Sequence, residues 1–179
     1  MSQAGLDPAG LVFIDETWAK TNMTRLRGRA PVGERLVASV PHGHWKTTTL
    51  IAALDHRGVR CSATVDGTVN RDVFEAFVAQ VLAPALSAGD VVVMDNLSSH
   101  KGATVRGLIE ARGAALLFLP PYSPDLNPIE MAFPKLKAHL RRIGARTIDH
   151  LWRAVADICD LFTPTECRNF LKDAGYASD

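Results

Sequence analysis

The sequence predicts a layered domain of the α/β or α+β class, in which helices pack on a mixed β-sheet. Two observations carry this prediction. The first third of the chain contains β-branched and apolar runs separated by turns, a pattern typical of antiparallel strands. After Asn70 the apolar residues take helical spacing, and helices then alternate with short apolar strands.

Composition limits the class of protein. The 179 residues are enough for one domain with a sizeable core, and no apolar run approaches the roughly 18–20 residues of a membrane span. The N-terminus lacks a signal-peptide pattern. Three cysteines without a CxxC pair predict reduced thiols rather than a disulfide framework or a zinc knuckle. The net charge of +1 excludes a polycation, although basic residues cluster locally.

The first part of the chain is predicted to form an antiparallel meander of three to four strands. It opens with a buried strand, LVFIDE from Leu11, which ends in acidic residues and leads into a polar, basic loop from Thr21. Three more runs have strand patterns, namely RLVASVP from Arg35, KTTTLIAALD from Lys46 and HRGVRCSATVDG from His56.

The second part alternates helices and buried strands. Asn70 is a plausible cap for a helix whose apolar residues are Val73, Phe74, Phe77, Val78, Val81 and Leu82. The strand GDVVVMD, the helix HKGATVRGLIEARG and the strand AALLFLP follow. After a proline-rich loop, a helix disturbed at Pro134 and two further helices complete the prediction: NPIEMAFPKLKAHLRR, IDHLWRAVADICDLF and PTECRNFLKDAG.

Three acidic residues stand at the ends of these elements. Asp15 is placed at the end of the first strand, Asp95 after the central strand, and Glu130 at the start of the helix that follows the prolines. Acids on rigid elements can converge at one edge of a sheet, where they repel one another unless a cation binds. Mg²⁺ prefers such oxygen ligands, and two ions about 3.5–4 Å apart support phosphodiester chemistry.

Each acid also has a purely structural interpretation. Asp15 and Asp95 can simply cap or terminate strands. Asn127, Pro128 and Glu130 resemble a capping box, with a cap residue, a proline in the first helical position and a glutamate in the third. The prolines stiffen the loop before Glu130 and fix where that helix begins. The capping and catalytic roles are rivals for the Glu130 side chain.

Three motifs in order carry a family resemblance: FIDET, VVMDNLSSH and LPPYSPDLNPIEMAFPKLK. Together they resemble the catalytic (DDE) domain of insertion-sequence transposases of the mariner/Tc-like superfamily. In that family 34 residues separate the second and third acids, and 34 residues separate Asp95 from Glu130 here. The resemblance implies an α/β, ribonuclease-H-like fold: an antiparallel meander followed by parallel strands, with helices on both faces.

The resemblance also implies an activity and its residues. The expected reaction is metal-dependent phosphodiester hydrolysis and strand transfer at transposon ends, with Mg²⁺ or Mn²⁺, two ions in all, held by Asp15, Asp95 and Glu130. Asn96 and His100 follow the second acid in the family pattern and are expected to position DNA or water. Basic residues expected to contact DNA phosphates are Arg25, Arg27, Arg29, Lys135, Lys137, Arg141 and Arg142.

The resemblance covers nearly the whole chain but not a DNA-recognition region. Family members carry an N-terminal helix-turn-helix region, whereas only about ten residues precede the first predicted strand. Residues 1–10 are expected to be a flexible segment and residues 11–179 a single catalytic domain. The chain is then a catalytic half: one product of a split or frameshifted gene, a truncated remnant, or a chain shortened for expression.

The resemblance also implies binding partners, and the sequence leaves alternative functions open. We expect DNA as the partner, a homodimer on paired ends, a separately encoded N-terminal half, and a place in the bacterial cytoplasm at the nucleoid. The alternatives are an inactive remnant that binds DNA or a partner, a ribonuclease-H-like nuclease, and an aspartyl phosphatase suggested by Asp-x-Thr in FIDET. Trp18 and Tyr122 offer base stacking, although core or loop-anchoring roles are favoured; Trp152 is predicted in the core.

Overall fold

The computed structural model describes residues 6–97 and 100–177, which form a five-stranded sheet in the order β3-β2-β1-β4-β5. β1, β2 and β3 pair antiparallel, β4 runs parallel to β1, and β5 runs parallel to β4. This arrangement confirms the predicted mixed sheet, a meander followed by parallel strands. The strands are β1 (Leu11–Lys20), β2 (Thr47–Asp55), β3 (Gly58–Asp66), β4 (Val91–Met94) and β5 (Ala115–Phe118).

Helices cover both faces of the sheet, as predicted. The helix that starts after Asn70 is continuous in space, but its middle turn is a π-helical segment, Val78–Leu82, between α1 and α2. None of the helices in the described part of the chain is both long and apolar enough to cross a membrane. The helices are α1 (Arg71–Phe77), α2 (Ala83–Ala85), α3 (Ala103–Glu110), α4 (Ile129–Ile143), α5 (Ile148–Cys159) and α6 (Pro164–Asp173).

Strand β1 lies at the centre and contributes to both cores because its side chains alternate between faces. Val12 and Ile14 pack with α1 and α3, where Phe74 is fully buried. Leu11 and Phe13 pack on the opposite face with α4, α5 and α6. Each such side chain contributes about 1.5–3 kcal/mol through removal from water. This double burial holds the strand that carries Asp15 rigidly.

The helix boundaries match the sequence signals well at most ends. The Asn70 side chain accepts a hydrogen bond from the Val73 amide at 2.9 Å, so the predicted cap is confirmed. Thr147 and Thr163 cap α5 and α6 in the same way. Helix α4 continues past Pro134, which lies at an exposed position inside the helix.

Two strand predictions need correction. The run from Arg35 to Pro41 forms no strand; it lies in a segment, residues 21–46, without helix or sheet, because both edges of β2 are already paired with β1 and β3. β-propensity alone cannot supply a pairing partner. The run around Leu116 does form β5, but at the edge of the sheet, so its residues are exposed or half-buried rather than buried.

Asp15 was expected at the end of the first strand, but it lies in the middle of β1. β1 continues to Lys20 because β2 pairs with it to that point, whereas its pairing with β4 stops at Ile14. Asp15 therefore stands where β1 runs past the end of its parallel neighbour.

The N-terminal segment predicted to be flexible is described only from Leu6. Leu6 packs against the core, and Pro8–Gly10 form a short 3-10 helix capped by Asp7. Residues 1–5 lie outside the described part. The cysteines, Cys61, Cys159 and Cys167, are free, as expected.

Paired charges close the end of the sheet where β1 and β4 begin. Arg60 extends from β3 and donates to Asp90, at 2.8 Å, and to the Ala85 carbonyl at 2.8 Å. Asp55, at the end of β2, accepts from the Arg57 guanidinium at 2.7 Å and lies 3.8 Å from Arg60. Burial alone would raise the pKa of Asp55, but hydrogen bonds from Arg57 outweigh it and hold that pKa below its usual range.

Candidate active site

The three acids predicted from the sequence line one cavity. Its volume is about 350 Å³, and Asp15, Asp95 and Glu130 all contribute to its wall. The rest of the wall comes from residues after β4 and from the proline-rich loop, namely Asn96, Leu97, Leu119, Pro120, Pro121, Tyr122, Ser123, Pro124 and Asn127. The structure thus brings together the residues that the sequence analysis singled out from three distant motifs.

Each acid is positioned by a different element. Asp15 lies on β1, and Asp95 comes directly after β4. The Leu119 amide donates to the Met94 carbonyl at 2.9 Å, so the chain leaving β5 starts its loop beside Asp95. Glu130 is the second residue of α4 and is exposed at the rim. Two strands and a helix therefore hold the carboxylates.

Asp15 is the most enclosed of the three carboxylates. Its Oδ1 accepts from the Glu16 amide at 2.7 Å, and its Oδ2 accepts from Asn127 Nδ2 at 2.8 Å. Burial raises the pKa of Asp15 to about 7, and the negative charges of Glu130 and Asp95 add to that rise. The Glu16 amide and the positive charge of His100 oppose it. An ionised carboxylate at this position is therefore stable only when positive charge lies nearby.

Asp95 is held by a histidine that also bridges to β1. His100 Nδ1 lies 2.6 Å from Asp95 Oδ1, and His100 Nε2 lies 3.2 Å from Glu16 Oε1. The ring is buried and stacks on Phe74 with 4.1 Å between centroids. Burial would lower the pKa of His100, but hydrogen bonds to Asp95 and Glu16 raise it to about 9. A charged imidazole with both nitrogens donating fixes one oxygen of Asp95.

The predicted capping box does not form. Helix α4 begins at Ile129, and no side chain caps it. The Asn127 amide N–H donates to the Pro124 carbonyl at 3.0 Å, so Glu130 does not reach back to it. Asn127 instead turns its side chain to Asp15 and donates to Oδ2 of that residue at 2.8 Å. Glu130 is left to face the cavity.

The donor chemistry of the cavity suits a hard divalent cation. Its wall presents three carboxylates, and Asn127 Oδ1 is buried there without a hydrogen-bond partner. Within residues 6–97 and 100–177, however, no three His, Cys, Asp or Glu side chains are gathered closely enough to hold a metal ion. Asp15 accepts hydrogen bonds from Glu16 and Asn127, and Asp95 is bonded to His100.

The predicted DNA-contacting residues lie in three places: on the segment of residues 21–46, after β4 and on α4. Arg25, Arg27 and Arg29 are exposed on the segment of residues 21–46 and do not reach the cavity wall. The base of this segment is closed, because Thr21 and Lys46 exchange backbone and side-chain hydrogen bonds. Asn96 lines the cavity, as expected, whereas His100 is buried behind it and holds Asp95. Of the VVMDNLSSH motif, Ser98 and Ser99 lie outside the described residues.

The basic residues of α4 are not equivalent. Lys135 Nζ lies 2.6 Å from Glu166 and 3.0 Å from the Leu161 carbonyl, so Lys135 ties α4 to α6 rather than extending to a ligand. The Lys137 ammonium lies over the Trp18 ring, and Arg142 contacts His139 at 3.3 Å. Arg141 is half-buried on the same helix.

The aromatic residues do not take the core positions that the sequence favoured. Trp18 is 48% exposed and Tyr122 is fully exposed. Tyr122 has φ 57°, a left-handed conformation that is uncommon without glycine, at the edge of the cavity. Trp152 is only partly covered, and its indole donates to Thr48 at 2.8 Å.

Two supporting residues escaped the sequence analysis. Glu16 follows Asp15 directly, and strand alternation sends it to the other face, where His100 lies. Asn127 was interpreted as a cap, and the extended backbone before its proline is compatible with either role. The spacing of five residues between Asp95 and His100 was a usable signal, because a turn after a strand can bring such a pair into contact.

Comparison with known proteins agrees with this geometry. The family model described as DDE superfamily endonuclease matches residues 10–151. The Tc1 transposase of Caenorhabditis elegans is 28% identical over 131 residues, which cover 66% of this chain and 48% of that protein. The chain thus spans about half the length of this curated relative.

Solved structures of Mos1 transposase share the fold. The Mos1 strand transfer complex gives a TM-score of 0.62 at 20% identity, covering 96% of this chain and 56% of that one. The mariner Mos1 paired end complex with Mg gives 0.56 at 22% identity, covering 96% and 57%. The fold is therefore ribonuclease-H-like, as the order and directions of the strands indicate.

Proposed function

Because the chain belongs to the DDE superfamily endonuclease family, we propose that it is a transposase catalytic domain that cleaves and joins DNA. The single observation that carries the proposal is the convergence of Asp15, Asp95 and Glu130 on one cavity. These acids come from three separate elements, and neither Asp15 nor Glu130 has a basic side chain within 4 Å in the described part of the chain. Three converging carboxylates, of which Asp95 has His100 as its charged partner, suit a cation-dependent reaction on a phosphodiester.

In the proposed reaction a water oxygen attacks phosphorus at the element's end and the bond to the 3′ oxygen breaks. The products are a 3′-hydroxyl and a 5′-phosphate. That hydroxyl then attacks a target phosphodiester, so that one bond to phosphorus forms while another breaks. When bound, Mg²⁺ or Mn²⁺ supplies activation of the attacking oxygen and stabilisation of the leaving oxygen, with two ions in our proposal.

The residues of the chain have distinct parts in this proposal. Asp15 and Asp95 hold the cations from the rigid strands, and Glu130 completes the set from the rim of the cavity. His100 keeps one oxygen of Asp95 fixed, so the other is free to bind. Both oxygens of Asp15 accept hydrogen bonds, from the Glu16 amide and from Asn127 Nδ2, and these bonds fix the orientation of the carboxylate. Asn96, on the cavity wall, is placed to contact the DNA.

The proposal also includes the binding partners, the oligomeric state and the cellular location of the protein. The Mos1 relatives were solved as transposon-end and strand-transfer complexes, which supports DNA as the partner here. We include a homodimer on paired ends, a separately encoded DNA-binding half, and a bacterial, nucleoid-associated location in the cytoplasm. The exposed arginines Arg25, Arg27 and Arg29, with Arg141 and Arg142, are proposed phosphate contacts.

The test is metal-dependent cleavage by this chain. Supercoiled plasmid and a labelled duplex are incubated with Mn²⁺, Mg²⁺ or EDTA, and nicks and joined products are counted separately. We expect nicking with either metal and none in EDTA. Asp95→Asn is expected to lower the rate by at least about a hundredfold, since it removes a charged ligand while keeping the shape of the side chain.

The control is Asp157→Asn, which changes an exposed acid on α5, far along the chain from the cavity residues. Its nicking rate should equal that of the unmodified protein. Nicking that persists in Asp95→Asn, or that needs no metal, would contradict the proposal. Nicking without any strand joining would instead identify a nuclease.

A further inference from the structure

One glutamate is connected to both strand carboxylates of the cavity. The backbone amide of Glu16 donates to Asp15 Oδ1 at 2.7 Å, and the side-chain Oε1 of Glu16 lies 3.2 Å from His100 Nε2. The other ring nitrogen of His100 lies 2.6 Å from Asp95 Oδ1. We propose that Glu16 is a positioning residue, which fixes the orientation of Asp95 through His100 for cation binding. This inference rests on the proposed function in taking Asp95 as a ligand of the cation.

Strand geometry separates the Glu16 side chain from the cavity. Successive residues of a strand point to opposite faces of the sheet, so Asp15 and Glu16 project to opposite sides of β1. Asp15 lines the cavity, whereas Glu16 is not one of the described residues in its wall. The Glu16 side chain is 24% accessible and bonds to the buried ring of His100. Glu16 can therefore affect a bound cation through another residue but not as a ligand.

The imidazole ring of His100 is held at three points. Its face stacks on Phe74, with 4.1 Å between ring centroids, and its two nitrogens bond to Asp95 and Glu16. Stacking alone would permit the ring to turn by 180° about its Cβ–Cγ bond, which replaces each nitrogen by a carbon. Because such a turn would also break the bond at Nε2, Glu16 opposes it and keeps Nδ1 directed at Asp95.

Asp95 has little else in the described structure to hold its side chain. The Leu97 amide donates to the same oxygen, Oδ1, but at 3.3 Å, which is longer than the usual range for such a bond. The Asp95 side chain is 33% accessible and follows the end of β4. The bond to His100 is therefore its main restraint, and that bond depends on the orientation of the ring.

A second glutamate nearby provides a comparison, because it lacks the contact with the ring. Glu75 lies on α1 beside Gly102, where a Cβ would come within 2.8 Å of Glu75 Oε1. Gly102 is two residues from His100, yet no bond among the described residues joins Glu75 to the His100 ring. Glu75→Gln thus removes one negative charge from the same region without removing a partner of His100.

The experiment measures Mn²⁺ affinity without DNA, from the electron paramagnetic resonance signal of the free ion. Glu16→Ala removes a partner of His100 and is expected to weaken Mn²⁺ binding about tenfold. Glu16→Gln also removes the charge but keeps an oxygen that can accept from Nε2, so it should retain most of the affinity. Glu75→Gln is the control for charge and should bind Mn²⁺ as the unmodified protein does.

A double variant tests whether Glu16 acts through His100. In a His100→Gln background, Glu16→Ala should add less than about a twofold loss of Mn²⁺ affinity, because the ring that Glu16 orients is already gone. Losses that simply multiply would overturn the proposal. Equal losses in Glu16→Gln and Glu16→Ala would also overturn it, since they would show an effect of charge alone. So would unchanged Mn²⁺ affinity in Glu16→Ala.

Two further measurements separate this inference from the proposed function. Urea unfolding in EDTA verifies that each variant is folded under the conditions of the binding measurement. The predicted Mn²⁺ affinities without any cleavage of DNA would support the role of Glu16 and contradict the proposed function. Metal-dependent cleavage that Glu16→Ala leaves unchanged at limiting Mn²⁺ would support the proposed function and overturn the role of Glu16.

Discussion

The two ends of the sheet treat buried carboxylates in opposite ways. Where β1 and β4 begin, Asp55 and Asp90 are matched by Arg57 and Arg60. Where β4 ends, Asp15 and Asp95 face a cavity with Glu130, and only His100 offsets them. Burial acts on Asp55 and Asp15 alike, yet the pKa of Asp55 is lowered and that of Asp15 is raised to about 7. The arginine-paired end serves stability, whereas we propose that the cavity end gives up stability for the binding of a cation.

The largest expected effect comes from breaking the paired end. Asp55→Asn should destabilise the protein by about 3 kcal/mol, because it leaves the largely buried Arg60 guanidinium with less counter-charge and weakens the bonds to Arg57. Urea unfolding at pH 7 measures this loss. The exposed substitution Asp157→Asn should change stability little. A loss below about 1 kcal/mol for Asp55→Asn would contradict a stabilising role for this pair.

The same type of substitution at the cavity, Asp15→Asn, should stabilise the folded protein. Without metal, Asp15→Asn removes a carboxylate that burial and like charges disfavour, and a rotated Asn127 amide can bond to the new side chain through its orphaned Oδ1. Because the folded pKa lies above the unfolded value, the contribution of Asp15 to stability is full below about pH 4 and is lost as pH rises through 7.

The measurement is urea unfolding of both proteins in EDTA at pH 5 and pH 8. The stability of Asp15→Asn minus that of the unmodified protein should grow by about 2 kcal/mol between these values. A difference that shrinks with rising pH would show that Asp15 is stabilised as an anion, and the contrast between the two ends would fail.

His100 provides a smaller and more specific test. His100→Gln should weaken the apparent affinity for Mn²⁺ in the cleavage assay about tenfold, because one oxygen of Asp95 loses its fixed partner. The maximal rate at saturating metal should fall less. His150→Gln, at an exposed position on α5, is the control. Unchanged Mn²⁺ affinity in folded His100→Gln would limit the histidine to packing on Phe74.

The smallest effect is expected within the paired end itself. Arg57 is largely exposed, with 62% of its side chain accessible, whereas only 10% of the Arg60 side chain is. Arg57→Gln should therefore cost under about 1 kcal/mol, since water screens its ion pair. Arg60→Gln should cost clearly more, and urea unfolding of the two variants compares them. Equal losses would show that burial does not distinguish the two arginines.

The sequence predicted secondary structure correctly where a local pattern is compatible with only one kind of element. Helical spacing after Asn70 and the short apolar strands predicted α1, β4 and β5 because burial periodicity follows backbone geometry. The acids that line the cavity were singled out from their places at the ends of predicted elements and from the family resemblance of three motifs. The prediction of a strand from Arg35 to Pro41 was wrong, because a strand needs a neighbouring strand to pair with and no local pattern specifies that neighbour.

Supporting contacts were the least predictable part of the site. The Glu16–His100–Asp95 chain joins residues far apart in sequence, and the Asn127–Asp15 bond spans 112 positions. Asn127 illustrates the difficulty, because the same residue type caps helices and binds carboxylates. Which partner it takes depends on tertiary contacts. Lys20 and Lys137 were visible as charges, but their contact with the Trp18 ring was not.

The most direct test of the account is a crystal of the protein soaked in Mn²⁺ and measured at an anomalous wavelength. We predict an anomalous peak between Asp15, Asp95 and Glu130, with carboxylate oxygens near 2 Å from the ion. The arginine-paired acids Asp55 and Asp90 should show none, because their negative charge is already neutralised. A peak at Asp55 or Asp90, or no peak in the cavity at saturating Mn²⁺, would contradict the claim that the carboxylates without an arginine partner mark the active site.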